Sequence, residues 1–106
     1  MKKKHYKIEL SDEAEKDFDI SYQYYNTENE NVADNFYKHI NQSFIQIQKF
    51  PATNPKVHED VRKFVVKKFP FVIYYLLKEP IIRVIAIFHT SRNPEIWQER
   101  TVNESD

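Results

Sequence analysis

The sequence predicts an α+β fold in the order β-α-α-β-β-β-α, a helical hairpin packed on a small, mainly antiparallel, twisted sheet. Three observations predict it. Two long segments with apolar residues at helical spacing sit together in the first half of the chain. Three aromatic and β-branched runs with short links follow them, and one alternating segment precedes everything.

The alternating segment is His5 to Leu10, with Tyr6, Ile8 and Leu10 set against Lys7 and Glu9, as in a half-buried strand. Ser11-Asp12 is a helix start, and Asp12, Glu13 and Glu15 place negative charge at the positive end of the helix dipole. Ala14, Phe18, Tyr22 and Tyr25 form one apolar stripe. Asn26-Thr27-Glu28-Asn29 reads as a polar turn, and Phe36, Ile40, Phe44 and Ile47 are the stripe of a second helix. That helix closes at Phe50-Pro51, because proline disfavours helical geometry in the residue before it. A short turn between two helices implies an antiparallel hairpin.

Residues Pro51 to Asp60 are expected to be a loop, followed by strands over Val61 to Phe69, Phe71 to Leu77 and Ile81 to Phe88. Links this short require antiparallel neighbours, since a parallel crossover needs about a dozen residues. Asn93 can cap a last helix with Pro94 at its first position, running to Arg100 and carrying Trp97. Residues 101–106 are expected to be a frayed tail. The chain has no glycine, so turns that need positive φ must use other residues.

A length of 106 residues fits a single domain spanning 1–106. With 41% hydrophobic and 15% aromatic residues there is enough apolar surface for one core, which argues against disorder. No run approaches the roughly 18 apolar residues of a membrane helix, and the basic start leads into no signal core, so no membrane partner and a cytoplasmic location are expected. The absence of cysteine excludes disulfides, thiolate metal sites and a cysteine nucleophile. His5, His39, His58 and His89 show no ligand spacing, and there is no phosphate loop, so neither metal nor cofactor is expected.

The formal net charge is zero, but it is unevenly spread. From Val61 to Pro94 there are seven basic residues (Arg62, Lys63, Lys67, Lys68, Lys78, Arg83, Arg92) against the single acid Glu79; the first 40 residues hold six bases and nine acids. This distribution fits a basic face for polyanion contact, and equally strand lysines that keep sheet edges soluble.

The element order resembles that of the RelE/ParE toxin superfamily, and so do particular residues. Arg62-Lys63-Phe64, then Phe69-Pro70-Phe71-Val72-Ile73-Tyr74-Tyr75, are similar to the family's basic strand, aromatic-Pro-aromatic turn and apolar strand. Ile87-Phe88-His89-Thr90-Ser91-Arg92-Asn93-Pro94-Glu95 resembles its last strand and the His-x-x-Arg-x-Pro that follows. The resemblance covers nearly the whole chain and implies a toxin of a type II toxin–antitoxin system, a growth-arresting stress-response component neutralised by a cognate antitoxin. It implies contact with operator DNA only through that antitoxin.

Two branches have different targets. The RelE-like branch cuts messenger RNA on the ribosome without a metal, and the ParE-like branch binds and inhibits DNA gyrase. Val72 falls where RelE-like members carry a phosphate-binding arginine, and Phe69-Pro70-Phe71 and His89-x-x-Arg92-x-Pro94 are closer to the ParE-like pattern. The helix from Asn93 to Arg100 is longer than the terminus of many ParE-like toxins. The favoured reading is therefore a ParE-like binding toxin. The alternatives are a ribosome-dependent ribonuclease and an inactive toxin fold that only binds an antitoxin.

If RNA is cut, His89 and Arg92 are the candidate catalytic residues, since a histidine titrates near neutrality and an arginine can hold phosphate. Strand parity puts His89 on the face of Arg83, Ile85 and Ile87; the competing reading is a local hydrogen bond that steadies the turn after the strand. Arg92 has the competing role of an ion pair with Glu95 or a neighbouring acid. Arg62, Lys63, Lys67, Lys68, Arg83, Arg92 and Trp97 are candidates for contacting a target or antitoxin. Trp97 and Tyr75 can stack on a base, but for Trp97 anchoring of the last helix is the preferred reading.

Overall fold

The computed structural model describes residues 5–104. The elements are β1 (Lys7–Leu10), α1 (Asp12–Glu28), α2 (Glu30–Lys49), β2 (Lys56–His58), β3 (Val61–Val65), β4 (Phe71–Lys78), β5 (Ile81–His89) and α3 (Glu95–Glu99), with a 3₁₀ turn over Arg100–Glu104. The five strands form one sheet in the order β1-β5-β4-β3-β2, with β1 parallel to β5 and the other neighbours antiparallel. The expected α+β architecture is therefore present. Among the described residues no helix is long and apolar enough to cross a membrane.

Ser11 opens α1 as expected, its hydroxyl accepting from the Ala14 N–H at 3.1 Å. The turn expected over 26–29 shrinks to Asn29 alone. Its backbone N–H donates to the Tyr25 carbonyl and ends α1, while its side chain accepts from the Asn31 N–H and starts α2. Thr27, read as a turn residue, instead lies in the last turn of α1, its hydroxyl donating to the Gln23 carbonyl at 2.6 Å. The two stripes meet on the sheet, where Ala14, Phe36, Ile40 and Ile47 pack with Phe71, Ile73, Tyr75, Ile82, Val84 and Ile87. Phe36 is the hub, with ring centroids of Phe18, Tyr25, Phe69 and Phe71 at 4.9–5.6 Å.

Two strand expectations need correction. Residues 51–60 contain a short edge strand, β2, which is too brief to leave a period-2 signal. The strand expected over Val61 to Phe69 stops at Val65, because the chain turns there: Val66 N–H bonds to the Phe71 carbonyl and Lys68 takes a φ of 68°. Without glycine, Lys68 and Glu59 (φ 52°) fill the left-handed positions. Lys67 and Lys68 thus lie on a turn, so they do not alternate between the faces of a strand.

A third correction concerns parity. Tyr74 pairs with Ala86 but Tyr75 pairs with Val84, which leaves Ile85 as an extra residue in β5. This bulge reverses which residues face the helices. Ile82, Val84 and Ile87 belong to the helix-side core, and Ile85, Ala86 and Phe88 belong to a second cluster with Val61, Tyr74, Leu76 and Trp97. Covering that second face are α3 and the 3₁₀ turn. Residues 101–104 lie in that turn, with Glu104 accepting from Arg83 Nε at 2.9 Å and from Lys78 through its carbonyl. Residues 105 and 106 lie outside the described region.

Tyr75 ties the α2–β2 loop to the sheet from within the core. Its side chain is fully buried, its hydroxyl donates to the Pro51 carbonyl at 2.7 Å, and it accepts from Asn54 Nδ2 at 2.9 Å. Burial raises the phenol above its ordinary value of 10.0, partly offset by Asn54 and Arg62. Because the folded value exceeds the unfolded one, the neutral phenol stabilises the fold fully below pH 10.0 and that contribution is lost as pH rises through the folded value. Tyr75→Phe is expected to cost about 1–2 kcal/mol at neutral pH and to shrink the alkaline loss, measured by denaturant unfolding alongside phenolate absorbance.

Candidate functional site

The parallel pairing of β1 with β5 ends at Leu10 opposite Val84, although β5 runs on to His89. Beyond that point the edge of β5 exposes backbone groups that no strand covers. Asp17, on the inner side of α1, accepts the Ile87 N–H at 3.0 Å with Oδ2. Arg100, from the turn after α3, donates to the Ile85 carbonyl at 2.9 Å. The same guanidinium grips Asp17 with Nη1 at 2.6 Å and Nη2 at 3.1 Å. Two side chains thus complete the edge that β1 leaves unpaired. Because Asp17 comes from the helical layer and Arg100 from the opposite layer, the pair also ties both layers to the sheet.

Arg92 joins the same carboxylate, donating to Asp17 Oδ1 at 3.2 Å. Its guanidinium lies 3.7 Å from the Phe88 ring centre, with that of Arg100 at 4.9 Å. Glu13 completes the cluster, 3.4 Å from Arg100 Nε. Two carboxylates therefore face two guanidiniums, which makes the burial of Asp17 (4% exposed) and Arg100 (10%) tolerable. An open cleft of about 410 Å³ lies over the cluster, lined also by Lys16, Ile20, Ser21 and His89.

His89 is on the helix side of β5 because of the Ile85 bulge, away from Arg83. It packs edge-on against Phe71, ring centres 5.3 Å apart, and its Nδ1 accepts from the Ser91 N–H at 3.0 Å. It is adjacent to Arg92, but its hydrogen bonds are local to the turn, where Arg92 N–H closes onto the His89 carbonyl. The partner of Arg92 is Asp17 rather than Glu95.

The other nominated cations do not converge here. Arg62 donates to the Asn54 carbonyl at 2.6 Å, holding the loop before β2. Lys63 is half-buried on β3, while Lys67 is exposed beside the α2–β3 groove and Lys68 is exposed at the turn. Arg83 is paired with Glu104 on the opposite face from His89. Trp97 is 2% exposed and stacks on Tyr74, with 4.0 Å between ring centres, and His58 meets its edge. Trp97 therefore anchors α3, and the fully buried Tyr75 presents no ring face for a base. Among the described residues no cluster of three or more His, Cys, Asp or Glu could hold a metal.

Asp17, Glu13 and Arg100 escaped the sequence reading. The available signal was Asp17 itself, three residues after Ala14 and next to Phe18 on the inward stripe, where a carboxylate needs a partner. Nothing in the sequence indicates which of the distant cations supplies it.

A family model described as the ParE toxin of the type II toxin–antitoxin system parDE matches residues 8–94. The chain belongs to the ParE toxin family. Among solved structures, a chain described as "Chromosomal ParDE TA system from P. aeruginosa" superposes with a TM-score of 0.71 at 19% identity, covering 82% of this chain and 98% of that one. At that identity the likeness concerns the fold. No curated protein sequence matches this ParE-family chain.

If Asp17 secures both layers, Asp17→Asn should lower stability by about 3–5 kcal/mol, since it leaves buried donors without their anion. Asp17→Asn combined with Arg100→Met should cost clearly less than the two single changes added together. Denaturant unfolding of the four proteins in the cycle measures this; strict additivity would mean that the two residues act independently.

Proposed function

We propose that this ParE-family toxin arrests growth by binding DNA gyrase, without doing chemistry itself, and that a cognate antitoxin neutralises it in the cytoplasm as part of a stress response. The observation that carries this reading is the engagement of Arg92. The arginine that follows the last strand is held by Asp17 and laid on Phe88, so it acts as a fixed cation instead of a mobile phosphate clamp. Val72 supports the same reading: it is 9% exposed and pairs with Phe88, so an apolar contact stands where an RNA-cutting relative would hold phosphate.

A binding toxin needs a rigid surface of defined charge, and cleavage needs an acid, a base and phosphate-holding cations aimed at one point. Here Arg62, Arg83 and Arg92 are each tied to a different part of the fold. A ribosome-dependent ribonuclease keeps one favourable observation, the adjacency of His89, Arg92 and Lys16 around one cleft.

Purified toxin titrated into gyrase is expected to inhibit supercoiling in proportion to occupancy, with stalled-ribosome message left intact. Unchanged supercoiling at saturating toxin would sink the gyrase reading. Message cleavage that is lost in His89→Ala and Arg92→Ala would establish the ribonuclease instead.

A further inference from the structure

The family match stops at Pro94, one residue before α3 opens. What the matched core presents to α3 is apolar: Val61, Ile85 and Phe88 are almost completely buried, with Tyr74 and Leu76 packed beside them. On a core ending at Pro94 these side chains would form an uncovered hydrophobic face, and such faces mark docking surfaces or aggregation sites. Residues 95–104 cover it here.

The covering segment has little structure of its own to offer. A five-residue helix followed by a five-residue 3₁₀ turn is too short to persist in water. It is held by three anchors spaced along it. Trp97 inserts between Tyr74 and His58, Arg100 reaches Asp17 and the Ile85 carbonyl, and Glu104 pairs with Arg83. An aromatic anchor in an apolar seat, flanked by charged contacts, is how a short peptide binds a protein groove.

We infer that the second face of the sheet is a docking surface for a short segment with an aromatic anchor and a following arginine, and that residues 95–104 fill it in cis as a built-in partner. This inference is independent of whether gyrase is the target. The face is closed by the chain itself, so the toxin is expected to be folded and monomeric without any protein covering that side.

Trp97 is the sole tryptophan, so its emission reports on the seat directly. The full chain is expected to be monomeric, with blue-shifted emission and no binding of a hydrophobic dye. A chain ending at Pro94 should bind the dye several-fold more and self-associate, and a synthetic peptide of residues 95–104 added in trans should reverse both. A truncated chain that stays monomeric, dye-silent and as heat-stable as the full protein would overturn the inference, as would failure of the peptide to alter a folded truncated chain. If the truncated chain does not fold, full-length Arg100→Ala decides. A red shift of Trp97 emission with far-ultraviolet dichroism preserved supports the seat, and unchanged emission overturns it.

Discussion

The fold depends on one carboxylate. Asp17 is a charge placed where the helical hairpin meets the sheet, and its burial is acceptable only because its oxygens accept from the Ile87 amide, Arg92 and Arg100. Removing any one partner changes the others. Arg100 without Asp17 would be a buried cation, and Ile87 without Asp17 would be a buried amide with no acceptor at the sheet edge. Hydrophobic packing supplies most of the driving force for such a domain, but it does not determine where β5 ends its pairing or which way the C-terminal segment runs. The pairing with β1 ends where Ser11 starts α1, and the ionic cluster covers the edge beyond it and helps to hold the C-terminal segment.

That cluster also shapes the functional reading. The arginine after the last strand is the residue a sequence reader would give to phosphate, being exposed, on a loop and beside a histidine. In the folded protein it shares an anion with a second arginine and rests on an aromatic ring. A guanidinium so constrained suits recognition, where fixed geometry favours binding, better than a reaction in which charge contacts form and break.

Much of the fold was legible because its signals are local. The Ser11 cap, the two apolar stripes, the Phe50-Pro51 stop and the aromatic strands β4 and β5 are each readable within a few residues. What escaped depends on distance or on a single residue. Asn29 serves two helices at once, so a four-residue turn was expected where one residue suffices. The Ile85 bulge shifted every later side chain of β5 to the other face, and no composition rule announces it. The candidate site suffered most. Arg92 and His89 were visible as residue types, but Asp17 is 75 positions from Arg92 and 83 from Arg100, and pattern alone does not reveal such pairings.

The parallel pairing of β1 with β5 has a consequence for synthesis. The first strand has no neighbour until Ile81 to Val84 have been made, and Asp17 waits for Arg100 near the end of the chain. Contacts of such long sequence separation slow folding, because the intervening loop must close before they form. During synthesis, therefore, the β1–β5 pairing cannot be completed before Val84 has emerged from the ribosome, nor the Asp17 cluster before Arg100 has.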